Sequence, residues 1–418
     1  MQTNKVLLLF SSFILCLLPI TSYYVVGSVY LNSYLMIVLF SIMIVLFILN
    51  GLKIDLIKLF LLIFLFYFLC ATLFHLAIES SEVNVGNLLL MCLVSFVVVI
   101  LFDAKLAKNI FIKTYSFFSI ALLWYFIVQL LLYYVFGIKI GGQIPFLSLH
   151  EGFILSNHTF GISESTFYIS FSSLFSERAH LVLYCTPFLY LKMFGIQQLV
   201  KKSIPISVIV SFLLILTFSG SAIIMVGICW ITFLLFGLKT SFVKKMVYSA
   251  GLLFILSSMY YLLSTTQAFN SIFERLFVSE NGSSKADYRI YRGFALFFNM
   301  PFERCVFGIG FKNLFSYSTT IGLSSIYDSD LANAEYLNSV SQVLIYFGII
   351  GALILVLAYY YMFKKGTTVS NSTLISFIIF SFSSSIFLDA YWVLYMCVVF
   401  CLIEVSPYEK EGIEFSRS

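Results

Sequence analysis

Apolar runs of about 17 to 25 residues recur along this chain, and no other feature limits its folding as strongly. Such a run spans the roughly 30 Å hydrocarbon layer of a bilayer as a helix, where the backbone must satisfy its own hydrogen bonds. Twelve candidate runs can be read: 6–26, 29–49, 59–78, 88–102, 114–136, 179–194, 203–219, 221–238, 246–265, 337–363, 370–388 and 390–405. The fourth and sixth are short, and the pairs meeting at Ser219-Gly220-Ser221 and at Asp389 could each be taken for one long helix. The first follows Lys5, as a signal peptide would. It is too long for a signal core and lacks an Ala-x-Ala exit, so it reads as an uncleaved anchor helix. The expected fold is an all-α polytopic membrane protein of about twelve transmembrane helices.

Composition points the same way. Hydrophobic residues make up 61% and charged residues 10% of the chain, against about 25% charged in an average globular protein. A soluble enzyme and a disordered scaffold are both excluded. The net charge of +5 comes from 24 basic residues scattered in twos and threes, which leaves no basic stripe for nucleic acid. Of the eight cysteines only Cys305 lies in a long polar stretch, so no disulfide framework is expected.

Orientation follows from the lysines, because basic residues near span ends stay on the cytoplasmic side. Lys53 and Lys58, then Lys105, Lys108 and Lys113, then Lys192, Lys201 and Lys202, then Lys239, Lys244 and Lys245, then Lys364 and Lys365 mark every second connection. With twelve alternating spans, both termini are cytoplasmic. The chain then divides into five spans (1–136), a first large periplasmic loop (137–178), four spans (179–265), a second large loop (266–336), and three spans with a cytoplasmic tail (337–418).

The arginines are distributed differently. Arg178, Arg275, Arg289, Arg292 and Arg304 lie in or beside the two large loops, and only Arg417 does not. Guanidinium offers a planar fork that grips carboxylate or phosphate through two bonds, which a lysine cannot do. The competing reading is ordinary salt bridging to loop carboxylates such as Glu151, Glu164, Glu274 and Glu303. Asp287-Tyr-Arg289-Ile-Tyr-Arg292 spaces two arginines three apart, so a helix would aim both the same way as a diphosphate clamp. At 177–180, Glu177 and His180 are also three apart and would share a helix face, with Arg178 between them. That arrangement suits acid–base work; the alternative is helix capping by Ser176 with Glu177 in the first turn. His150 and His158 complete no common metal-ligand spacing with His180. Gly308-Ile309-Gly310 would allow backbone to approach a ligand or simply form a turn. Asp328-Ser329-Asp330 has the form used by metal-dependent sugar transferases, a short match that an acidic loop produces by chance.

These residues resemble the Wzy-type O-antigen and capsular polysaccharide polymerases, of the O-antigen ligase superfamily, with a many-span glycosyltransferase architecture usually called GT-C. Ser173-Leu174-Phe175-Ser176-Glu177-Arg178-Ala179-His180-Leu181 looks like the family's F-x-E-P-x-H-F, with Arg178 in place of proline and Ser170 and Ser172 where an upstream arginine often stands. Arg289 to Gly310 is similar to an arginine followed by P-x-x-G-I-G, with Pro301 and Gly308-Ile309-Gly310 in order across a longer gap. Asn338, Gly348 and Gly351 fit the ligase signature of histidine, small polar residue, nine variable residues and Gly-x-x-Gly. Leu337 holds the histidine position, which favours polymerase over ligase.

The resemblance implies transfer of a growing glycan from undecaprenyl diphosphate to a lipid-linked repeat unit at the periplasmic face of the inner membrane. It implies diphosphate-binding roles for Arg178, Arg289 and Arg292, and Glu177, His180 or Glu335 as base. Neither metal nor other cofactor is required if the arginines stabilise the leaving group. Partners would be undecaprenyl-diphosphate-linked glycans, membrane lipid and a chain-length regulator protein. The main rival from another class is a flippase for the same lipid-linked unit, which should carry charges inside its spans and lack two large outer loops. A membrane acyltransferase is a third reading.

Overall fold

A computed structural model describes residues 2–51, 54–79, 86–150, 160–164, 169–196, 199–237, 251, 285–311, 314 and 337–403. Every candidate apolar run overlaps a described helix except 246–265, of which only Gly251 is described. In chain order these are α1 (Gln2–Thr21), α2 (Leu31–Asn50), α3 (Leu56–Glu79), α4 (Gly86–Leu101), α5 (Ala104–Phe136), α6 (Arg178–Phe194), α7 (Ile204–Ile215) and α8 (Gly220–Thr232), which runs on into a π-turn. After Lys285 come α9 (Lys285–Phe298), α10 (Phe302–Phe307), α11 (Ser339–Lys365), α12 (Thr368–Ser383) and α13 (Ala390–Ile403). Among the described residues six helices are long and apolar enough to cross a membrane: α1, α2, α3, α5, α8 with its π-turn, and α11.

Two of the shorter helices have a physical reason to be short. Every residue of α13 from Ala390 to Leu402 is buried, as are nearly all of α6 from Leu181 to Met193. A helix apolar on all sides and shielded from lipid by its neighbours need not match the bilayer's thickness. These two helices form the centre of the bundle. Pro187 in α6 removes the N–H that would bond the Leu183 carbonyl, and the Tyr395 hydroxyl of α13 donates to that carbonyl instead, at 2.7 Å.

The helix ends sort into two groups. At one end Lys365 meets Asp55 at 3.5 Å, Lys58 donates to the Phe102 carbonyl at 3.0 Å, Asn4 donates to Asn50, and Thr367 donates to the Leu402 carbonyl. Asp103 caps α5 by accepting from Lys105 and Leu106 N–H. At 33 residues, α5 is about 50 Å long, so its lysine-bearing first turns extend past a span of ordinary length. At the other end, two small antiparallel sheets modify the all-α expectation. β1 (Tyr24–Val26) pairs with β2 (Val29–Tyr30) and β3 (Ser148–Leu149), and β4 (Ile162–Glu164) pairs with β5 (Ile169–Phe171). Pairing with β1 ties residues 148–149 to the exit of α1, while the second sheet pairs two strands within 137–178.

Candidate functional site

The end opposite the lysine staples holds the cluster that chemistry would use. His180, in the first turn of α6, lies between two tyrosine rings: Tyr23 at 5.7 Å and 27°, and Tyr391 at 5.3 Å and 29° between planes. The Tyr23 hydroxyl is hydrogen-bonded to His180 Nδ1 at 3.2 Å, and Ser176 Oγ lies 3.4 Å from the same nitrogen. Glu177 and Asp389 both act electrostatically on the imidazole. The Tyr391 side chain is buried, and its hydroxyl has no partner among the described residues.

The local sequence explains the arrangement. Glu177 is the N-cap residue, extended at φ −125 and ψ 148, with no side-chain capping bond. Its carboxylate is exposed beside His180, so it does not sit within the helix one turn ahead of the imidazole as the spacing suggests. Ser176 makes its side-chain contact with His180 and does not serve as the N-cap. Arg178 opens α6 and donates through Nη1 to the Phe218 carbonyl at 2.9 Å, which ties α6 to the α7–α8 connection.

Asp389 is positioned from further away. The α12–α13 connection is pinned by Ser339, whose Oγ accepts from Ile386 and Phe387 N–H and donates to the Ser384 carbonyl. Gln342 adds a bond to Ser385 at 2.8 Å. Burial raises the Asp389 carboxyl above its ordinary value, opposed by the Ala390 N–H it accepts and by the nearby imidazole.

Backbone strain gathers here as well. Ser173, Phe218 and Leu388 are non-glycine residues at φ of 58°, 52° and 62°, a conformation costing of order 1–3 kcal/mol that persists only where surroundings dictate it. For Ser173 the dictation is visible: Gln129 accepts from its N–H and donates to its carbonyl, while its hydroxyl donates to the Leu122 carbonyl. Phe218 accepts the Arg178 bond, and Leu388 delivers Asp389.

The expected arginine helix is present as α9. Arg292 is buried within it, while the Arg289 side chain falls outside the described residues. Next to Arg292, Gly293 lies so close to Ser341 that an added Cβ would overlap Oγ. Thus α9 presses on the first turn of α11, the turn whose Ser339 holds the Asp389 connection. Asn338, in the third motif, caps that turn by accepting from Ser341 N–H.

Other expectations resolve differently. Gly308-Ile309-Gly310 is buried and bonded to backbone of α11 through the Ile309 and Gly310 N–H groups. His150 stacks on Tyr30 at 4.9 Å, and its backbone N–H donates to the Tyr23 carbonyl at 3.2 Å. His158, Glu335 and Asp328-Ser329-Asp330 lie outside the described residues, as does the His75 side chain. No three His, Cys, Asp or Glu side chains among the described residues converge as metal ligands. A cavity of about 130 Å³ opens at the lysine end, between Asp55, Lys58, Phe102 and Lys105, and holds none of the groups around His180.

Sequence reasoning missed Tyr23, Tyr391 and Asp389 as members of this cluster. Asp389 had a signal: one carboxylate between two apolar runs is costly in a membrane protein and marks function by default. The tyrosines had none, since aromatic residues occur throughout the chain. No family model matches the chain, and no curated protein matches it significantly.

Proposed function

We propose that this chain polymerises oligosaccharide repeat units carried on undecaprenyl diphosphate into O-antigen or capsular polysaccharide, at the periplasmic face of a bacterial inner membrane. The observation supporting this most directly is the gathering, at one end of an apolar bundle, of an imidazole, two carboxylates and the arginine that follows Glu177. In this reading the lysine end faces the cytoplasm, and the His180 end meets the headgroup layer where a lipid-linked diphosphate resides.

The chemistry is glycosyl transfer. An acceptor hydroxyl attacks the anomeric carbon of the donor, the bond to diphosphate breaks, and undecaprenyl diphosphate departs with the bonding electrons. His180 takes the acceptor proton, oriented by Tyr23 and supported electrostatically by Asp389 and Glu177. Charge grows on the leaving diphosphate as the bond breaks, so guanidinium groups stabilise the transition state more than the ground state. Arg178, Arg289 and Arg292 fill that role.

Deleting the gene and resolving surface polysaccharide on a gel tests the reading. A single repeat unit left on the lipid A core supports a polymerase. Polymer stranded on its lipid carrier indicates a ligase instead, and units trapped inside the cell indicate a flippase.

A further inference from the structure

The stretch after α9 does not stay at the bundle's end. Gly308 sits against the Tyr346–Phe347 peptide of α11, and Gly348 against Val306, each so closely that a Cβ would overlap a carbonyl oxygen. Both glycines have positive φ, 81° and 63°, and Gly348 breaks α11 internally with ψ −171°. That break frees the carbonyls of Ile345, Tyr346 and Phe347 from their usual partners four residues on.

Two of these carbonyls are satisfied by this contact and the third by α3. Ile309 N–H donates to Ile345 O at 3.0 Å, Gly310 N–H donates to Tyr346 O at 3.0 Å, and the Tyr67 hydroxyl reaches Phe347 O at 3.1 Å and Phe307 O at 2.9 Å. Phe311 N–H meets Thr72 Oγ1 beyond. Tyr67 and Thr72 belong to the candidate span Leu56–Phe74, and Ile345–Gly348 to the candidate span Ser339–Lys365. Tyr67 lies about 16 Å along α3 from Leu56 and about 10 Å from Phe74, the two ends of that span, at 1.5 Å per residue.

We infer that residues 302–311 form a re-entrant element, which enters the hydrocarbon layer from the His180 end, docks its backbone onto the broken helix α11 and presents Phe302 and Phe307 to lipid acyl chains. Irregular backbone is tolerated at membrane depth only where protein satisfies its polar groups, and the Gly348 break supplies those acceptors. Two large apolar side chains face outward, Phe302 at 77% and Phe307 at 56% exposed, while the exposed Glu303 and half-buried Arg304 stand between them; Phe66 of α3 and Leu353 of α11 are exposed as well. Only Asn299–Pro301 separate this element from α9, so the arginine helix is tethered to a membrane-embedded anchor. The inference rests on the membrane character of the bundle and does not depend on the glycan reading.

Spin labels report depth directly. In a Cys70→Ser, Cys305→Ser background, where the remaining cysteines are buried, labels are attached through Phe307→Cys, Phe66→Cys and Tyr291→Cys in the full chain in proteoliposomes. Collision with oxygen is compared with collision with a water-soluble nickel chelate. The expected oxygen-to-nickel ratio at 307 matches that at 66 and is several-fold above that at 291. A ratio at 307 equal to that at 291 overturns the inference, and so does shielding from both reagents, which would put protein and not lipid against Phe307. Phe302→Cys, with an expected intermediate ratio, serves if the label at 307 prevents assembly. None of these readouts requires polymerase activity, so the depth result and the glycan assay can fail separately.

Discussion

The Tyr23 hydroxyl and His180 Nδ1 meet at 3.2 Å, joining the exit of α1 to the start of α6. Tyr23→Phe keeps the ring against the imidazole and removes only this bond. A lost hydrogen bond of about 0.5–1.5 kcal/mol predicts a drop of about 2- to 10-fold in polymer yield from isolated protein with lipid-linked substrate, whereas His180→Asn should abolish the product. Full activity in the histidine variant would remove His180 from the chemistry.

Asp389 gives a pH test. Its carboxyl is raised by burial from an ordinary value of 3.8, so the folded state holds this proton more tightly than the unfolded chain does. Its favourable contribution is complete below that ordinary value and is lost as pH rises through the raised folded value. Asp389→Asn should therefore melt higher than the parent at pH 7, with the gap closing as pH approaches 4, measured by thermal unfolding in detergent at matched salt. A gap independent of pH contradicts the assignment.

Arg289→Lys on α9 retains charge and loses the planar fork. Surface polysaccharide should become sharply shorter or scarcer at equal protein level. Unchanged polysaccharide would place Arg289 outside the site.

Pro187 and Tyr395 form a compensating pair in the core. Tyr395→Phe leaves the Leu183 carbonyl buried without its donor, costing about 1–3 kcal/mol. Adding Pro187→Ala restores an N–H four residues after Leu183, so the double variant should recover part of that loss. Strictly additive losses in a thermal-melt cycle would mean that the two do not share the carbonyl.

Much of the helical layout was legible because apolar runs are a long-range signal that needs no partner to interpret. The ends of those runs were less so. Tyr23 lay inside the apolar stretch 6–26, yet α1 stops at Thr21 and the chain turns into β1, which sets the tyrosine beside His180. Glu177 and His180 were found by spacing, but the spacing assumed a helix that begins one residue later. The Gly308-Ile309-Gly310 contact was unreadable in a different sense: its partner is the backbone of residues far along the chain, and sequence patterns report side chains. Arg292 was found as a member of an i, i+3 pair, while its burial depends on how α9 meets α11 at Gly293, a contact between distant segments.

The left-handed residues have one more consequence. Ser173, Phe218 and Leu388, together with Phe146 on the 137–150 connection at φ 70°, all lie at the His180 end, and the lysine end has no non-glycine residue of this kind among those described. The two ends should therefore differ in how they accept change. Loops joined by staples such as Lys365–Asp55 could be lengthened, tagged or permuted at little cost, while insertions near 173, 218 or 388 would release constraints that hold the side chains around His180 in register. A fusion partner or fluorescent label belongs on the lysine side of this molecule.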